Sequence, residues 1–288
     1  MSEKQKKSRR LAPGASLRLA YKIVVGSLRL LLSYPILVVP MLPVYVLVLF
    51  VLLNLSTPDT WPSLLLQFLE VFGVALALML SFAAISLMLR QLHEGREPSL
   101  RAAVLSPDLM KMVPSVMGLT AIWFSVVLVL VIVEMVIRAL LDRISESLSD
   151  AVVNAIFGTL ADALRMAAFM MIAIMAFEKV GVQPAYERLK NVAKREGVTA
   201  CGGLVLTGLV SALIVLLLVG AEWAVVNLGM GAVSPVLWVV ILAPVWLLSM
   251  YLEQLFVTGL YLYCTVPDSP VVAALLRDVV GRELPQPA

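Results

Sequence analysis

Six long apolar runs alternate with short polar segments along this chain, at about 35–55, 64–89, 112–137, 151–177, 198–219 and 234–266. A helix needs about 20 such residues to cross the hydrocarbon core of a bilayer, and each run supplies them. The pattern therefore predicts an all-α polytopic membrane protein with six transmembrane helices. Pro40 and Pro43 fall early in the first run, where they are expected to kink it. Asp162 and Arg165 interrupt the fourth run. The sixth, 33 residues long, exceeds a core of about 30 Å, so it must tilt, bend near Pro244 or Gly259, or leave the bilayer before Pro267. Small residues at spacing four predict close helix contacts at Gly73, Ala77 and Ser81, and again at Gly203, Thr207 and Ser211 with Gly208 and Ala212 beside them.

The polar segments carry a second pattern. Over residues 16–33 the positions Arg18, Lys22, Arg29 and Ser33 share one face of a helix, and Leu17, Tyr21, Val24, Leu28 and Leu31 lie opposite. With the basic head before it, this 1–34 unit reads as an interfacial amphipathic helix drawn to an anionic membrane surface. Residues 183–195 read the same way, with Tyr186, Leu189, Val192 and Ala193 on one face and Arg188, Lys190, Lys194 and Arg195 on the others. That segment turns at Glu196-Gly197 into the fifth run. Pro13, Pro98, Pro184 and Pro270 are separated by 85, 86 and 86 residues, and each opens such a segment. The expectation is three helical hairpins within 35–266, related by pseudo-threefold symmetry about the membrane normal, above a ring of interfacial helices and followed by a tail at 267–288.

Composition excludes a soluble globular domain: 61% of residues are hydrophobic and 14% charged, with mean hydropathy +0.99, where soluble domains average about 45–50% and 25%. Nineteen of the 22 Lys and Arg fall in the segments on one side of the predicted spans. That bias places both termini in the cytoplasm and the chain in the plasma membrane as a multi-pass protein. The basic head reads as retained, since no small-residue cleavage site follows it. Cys201 and Cys264 fall near cytoplasmic helix ends and are expected as free thiols.

Chemistry-bearing motifs are few. His93 has no Cys or His at ligand spacing, no nucleophile elbow or paired carboxylates occur, and no glycine-rich phosphate loop is present. No cofactor, metal or catalysis is expected, and the basic head, without interleaved aromatics, suits lipid rather than nucleic acid. The charges inside the runs stand out. Arg165 lies 13 residues from Glu178, about 20 Å deep, and Glu253 lies 13 residues from Val266, with Asp162 one turn beyond Arg165. These three are either a polar site for a headgroup, ion or peptide, or a buried ion pair holding helices in register.

The stretch Phe177-Glu178-Lys179-Val180-Gly181-Val182-Gln183-Pro184-Ala185-Tyr186-Glu187-Arg188-Leu189-Lys190 resembles a segment of poorly characterised prokaryotic six-helix membrane proteins. Those are related to the membrane domain attached to some glycerophosphodiester phosphodiesterases. The resemblance implies the membrane architecture, not the phosphodiesterase activity. The expected function is a non-enzymatic membrane scaffold or assembly subunit, working with a protein partner or as a homo-oligomer. The alternative is a transport protein that uses Arg165, Asp162 and Glu253.

Overall fold

A computed structural model describes residues 13–54, 61–141, 146–227 and 235–276. The basic head, the link at 55–60, the end of the tail, and the side chains of Arg195, Ser211 and Glu222 lie outside the described residues. Nine α-helices and one short 3₁₀ turn account for most of what is described: α1 (Pro13–Ser33), the 3₁₀ turn Pro35–Val38, α2 (Met41–Asn54), α3 (Trp61–His93), α4 (Leu100–Val104), α5 (Pro107–Leu141), α6 (Glu146–Glu178), α7 (Val182–Asn227), α8 (Pro235–Thr265) and α9 (Pro270–Leu276). Six stretches are long and apolar enough to cross a membrane: Pro35–Leu53, Leu65–His93, Pro107–Leu140, Ile156–Glu178, Thr199–Gly220 and Val240–Thr265.

Local chemistry sets the boundaries. The first span opens as a 3₁₀ turn and becomes α-helical only after Pro40, which has no N–H to give to a preceding turn. Helix α5 begins five residues before the apolar run does. Ser106 accepts from the Leu109 N–H at 3.0 Å and Pro107 starts the helix, a pairing that makes polar residues 107–111 helical. Asp162 and Arg165 do not break α6, which runs unbroken for 33 residues because the two charges are paired. Helix α8 continues through Pro244. At Glu196 the backbone leaves helical geometry (φ −124°, ψ 23°), the turn expected at Glu196-Gly197, and the Glu196 carboxylate accepts from the Thr199 hydroxyl at 2.7 Å.

The second helix of each hairpin, α3, α6 and α8, is more than half buried along its span, while α2, α5 and the distal part of α7 are largely exposed. Contacts follow a cyclic order. Helix α2 packs on α3 and α8, α5 on α6 and α3, and α7 on α8 and α6, so each outer helix seats between its own partner and the inner helix of the preceding hairpin. The interior is filled by Phe82, Phe169, Phe256, Met79, Met88 and Ile172, all fully buried. Pro13 and Pro270 begin α1 and α9, Pro98 lies two residues before α4, and Pro184 is the third residue of α7.

Helix α1 differs from the expected face. Of the expected apolar face Val24 is buried and Leu28 and Leu31 are half-buried against the core, but Leu17 and Tyr21 are exposed, and the buried side also takes in Ser16, Leu19, Ala20, Ile23, Ser27 and Leu30. Its small residues admit close neighbours: a Cβ on Gly26 would lie 2.0 Å from the Leu275 carbonyl oxygen of α9, and Gly202 of α7 faces Leu17 and Ala20. A reading weighted toward large apolar residues misses a contact face built from Ala, Gly and Ser. In the first half of α7 the buried positions are Ala185 and Val192, with Leu189 half-buried and Tyr186 and Ala193 exposed. Of the small-residue stripes, Ser81 meets the Pro40 carbonyl at 2.7 Å and Gly203 abuts the Phe256 ring, whereas Gly73 and Gly208 face open space.

Candidate functional site

Helices α6 and α8 pack face to face in the centre, and their contact brings Arg165, Asp162 and Glu253 together. The Arg165 guanidinium donates through Nε to Glu253 Oε2 at 2.9 Å and through Nη2 to Oε1 at 3.1 Å, a two-pronged match of planar groups. Nη2 also lies 2.9 Å from Asp162 Oδ1, one turn away on the same helix. The Glu253 side chain is 5% exposed, Arg165 24% and Asp162 51%. The cluster carries two carboxylates and one guanidinium, so Arg165 is the shared counter-ion of both acids.

Other polar groups sit on the buried side of α8. The Gln254 amide nitrogen donates to the Ser86 hydroxyl of α3 at 3.0 Å and to the Thr258 hydroxyl at 3.3 Å, and Thr258 Oγ1 donates to the Gln254 carbonyl at 2.8 Å. One turn on, the Tyr261 hydroxyl donates to Glu178 Oε1 of α6 at 2.7 Å, and the other Glu178 oxygen accepts from Arg188 Nε at 3.2 Å. Of these, Arg188 was expected on a basic membrane-facing surface, whereas Gln254, Ser86, Thr258 and Tyr261 were not singled out by sequence reasoning. Their signal was available in the spacing of polar residues on α8, three and four apart, inside an otherwise apolar run.

At the same end of the bundle a second network ties α3, α5 and α6 together. Arg90 donates to Glu94 Oε1 at 2.9 Å, to Asp108 Oδ2 at 3.0 Å and to the Ala176 carbonyl at 3.3 Å. Lys179, whose left-handed backbone (φ 56°) ends α6, reaches Asp108 at 3.0 Å. Partial burial pushes the Glu94 carboxyl up, but its hydrogen bond to Arg96 and the charges of Arg90 and Arg96 outweigh that and hold it below the ordinary value. His93 is the last residue of α3. Its Nδ1 lies 2.7 Å from the Ser269 hydroxyl that caps α9, and its ring packs edge-on to Phe177.

The residues expected to form a basic membrane-facing surface are divided. Arg18, Lys190 and Lys194 are exposed, Lys22 and Arg29 are half-buried and engaged with neighbours, and Arg188 pairs with Glu178. Arg195 falls among the side chains outside the described residues. Cys201 and Cys264 are not in a disulfide. Among the described residues no group of three or more His, Cys, Asp or Glu is placed to hold a metal ion. No known protein family, curated protein or solved structure matches this chain.

Proposed function

We propose that this chain is a non-enzymatic membrane scaffold, an assembly subunit that organises a larger membrane complex. The observation that carries the reading is the packing of the centre. Phe82 of α3 and Phe169 of α6 pack edge to face with ring centroids 4.5 Å apart, and Met79 and Met88 of α3 are fully buried with them, which fills the space between these inner helices where a permease would hold its solute. The outer helices add to it. Helix α5 presents Ile122, Val129, Ile132, Met135 and Val136, and distal α7 presents Leu209, Leu213, Leu216 and Leu217, two apolar ridges on which lipid or another membrane helix packs. The charge bias of the polar segments supports a plasma-membrane orientation with both termini in the cytoplasm, and Arg18, Lys190 and Lys194 suit an anionic inner leaflet.

A transport reading is favoured by one observation, the charged cluster of Arg165, Asp162 and Glu253 inside the span. Native mass spectrometry of the protein drawn from its own membranes in mild detergent separates the two. A stoichiometric protein partner retained at raised salt is the expected result. A lone protomer carrying a bound solute would overturn the scaffold and favour transport.

A further inference from the structure

Helix α6 changes character at Arg165. From Met166 to Ala176 every residue but Ala167 is buried, whereas from Ile156 to Arg165 Phe157 alone is buried. The open half still belongs to a stretch long and apolar enough to cross a membrane, Ile156–Glu178. Counted along the axis, Asp162 stands about 24 Å from Glu178, short of the far edge of a hydrocarbon core of about 30 Å. Its side chain is 51% exposed there. Acids inside a span ordinarily face the bundle interior and are paired, so a carboxylate on an open helix face at this depth marks a group that comes to meet it.

The charges at this point do not balance. Arg165 gives both prongs to Glu253 and shares Nη2 with Asp162 Oδ1, so one guanidinium stands against two carboxylates. Asp162 Oδ2 has no partner among the described residues. Of the 22 Lys and Arg, only Arg138, Arg143 and Arg165 lie away from the basic side; Arg138 pairs with Glu134 at 3.2 Å, and Arg143 is outside the described residues. The surface around Asp162 is shallow. Gly158, one turn before it, and Ala163 beside it are exposed, and a Cβ on Gly158 would meet nothing within 4 Å. Small residues beside a polar group let a second helix come close in lipid, where no hydrophobic force drives helices together.

We propose that this open half of α6 is the docking face for a membrane-spanning helix of a partner protein, and that the partner's span carries a Lys or Arg that pairs with Asp162. The added cation brings the cluster to two positive and two negative charges. Either unpaired charge is costly in hydrocarbon, and association removes both costs together. The partner's ammonium or guanidinium meets Oδ2 on the open side, while Oδ1 stays with Arg165 and Arg165 stays with Glu253, so the chain's own packing is undisturbed. A second copy of this chain offers no such residue at this depth, because its Arg165 is engaged in the same way. An anionic lipid headgroup is repelled by the surplus carboxylate. A span without the cation gains nothing on this face over lipid, so the charge supplies the selection. The inference rests on the scaffold reading and adds to it the chemistry of the partner.

The test uses the full chain in phosphatidylcholine liposomes, whose neutral surface does not recruit basic peptides. Two synthetic Leu-Ala helices of about 22 residues are added, differing only in a Lys or a Leu about five residues from one end. Energy transfer between a dye on the protein and one on the peptide reads binding. The Lys peptide is expected to bind about tenfold tighter than the Leu peptide, and Asp162→Asn to abolish that difference while Arg165 and Glu253 hold the fold. Gly158→Leu projects into open space, should weaken the Lys peptide as much, and carries the test if Asp162→Asn fails to fold. Equal binding of both peptides to wild type, or a Lys preference that survives Asp162→Asn, would overturn the proposal. So would energy transfer between differently labelled copies of the chain that the Lys peptide cannot displace. A partner retained in native mass spectrometry without any Lys preference here sinks this inference and leaves the scaffold reading standing; a Lys preference with no retained partner does the reverse.

Discussion

Arg165 serves two carboxylates, while Glu253 is served by one cation, and this asymmetry fixes the order of three variants. Arg165→Met strands the Glu253 carboxylate at 5% exposure, and breaking a buried pair in this way costs about 3–5 kcal/mol. Half-exposed Asp162 adds about 1 kcal/mol at most, since exposed pairs contribute little. Glu253→Gln is milder: Arg165 keeps Asp162 at 2.9 Å, and the new amide oxygen still accepts from the guanidinium, so the loss is about 1–2 kcal/mol. The double variant Arg165→Met/Glu253→Leu removes both buried charges and returns to within about 1 kcal/mol of wild type. The double variant should therefore be more stable than Arg165→Met alone by about 2 kcal/mol or more. Denaturant-titrated unfolding in mild detergent, followed by circular dichroism, measures all three. Glu253→Gln proving as costly as Arg165→Met, or a double variant no more stable than Arg165→Met alone, would refute the shared counter-ion.

Gly26→Ala should destabilise by about 2–3 kcal/mol and expose the end of α9 to protease, because the new Cβ meets a backbone carbonyl that cannot rotate away. The matched change Gly73→Ala, which opens onto free space in α3, should be neutral or stabilise by up to about 1 kcal/mol in the same melts. Glu94 supplies a pH dependence: its folded pKa lies below 4.5, so its contribution is complete above that value and is lost as pH falls through the folded pKa. The melting-temperature gap between wild type and Glu94→Gln should be constant from pH 7 to 5 and should close on further acidification; a gap that widens in acid would contradict the assignment.

The six spans were legible because membrane crossing imposes one requirement, a run of apolar residues of fixed minimum length, that local sequence meets or fails by itself. The break at Glu196-Gly197 was legible for a similar reason, since an abrupt change from polar to apolar pattern marks where a surface helix ends. Faces were harder to read. Leu17 and Tyr21 look like the buried side of α1 by size, yet Ala20 lies against Gly202 of α7, Ile23 against Gly259 of α8 and Gly26 against Leu275 of α9, because close approach selects a small residue on one side of each contact. Asp162 and Arg165 read locally as an interruption of α6, yet their grouping with Glu253, 88 residues further on from Arg165, was legible because equal counts of 13 residues from the two helix ends put Arg165 and Glu253 at one depth. The stripe on α8 was legible in principle, but an apolar background and the absence of any titratable residue at Gln254 and Thr258 hid its period.

The three inner helices are all more than half buried, yet neither their packing nor their chemistry is equivalent: α6 packs closely on both α3 and α8, whereas α3 and α8 scarcely touch. Helix α6 is buried through the run Met166 to Ala176 almost wholly by Met, Ala, Ile and Phe, and α3 through Leu78 to Leu89 by the same types with only Ser81 and Ser86 among them. Helix α8, over a comparable length, buries Ser249, Tyr251, Glu253, Gln254, Thr258 and Tyr261. Each unmatched polar atom in the core costs about 1–3 kcal/mol, so a polar group is best tolerated where a neighbour bonds it, as Ser86 and Thr258 do Gln254 and Arg165 does Glu253. Hydroxyls, an amide and the buried acid are therefore concentrated on α8, while α3 and α6 supply close-packed apolar surfaces, so the buried hydrogen bonds of the bundle's centre depend on α8 more than on either neighbour.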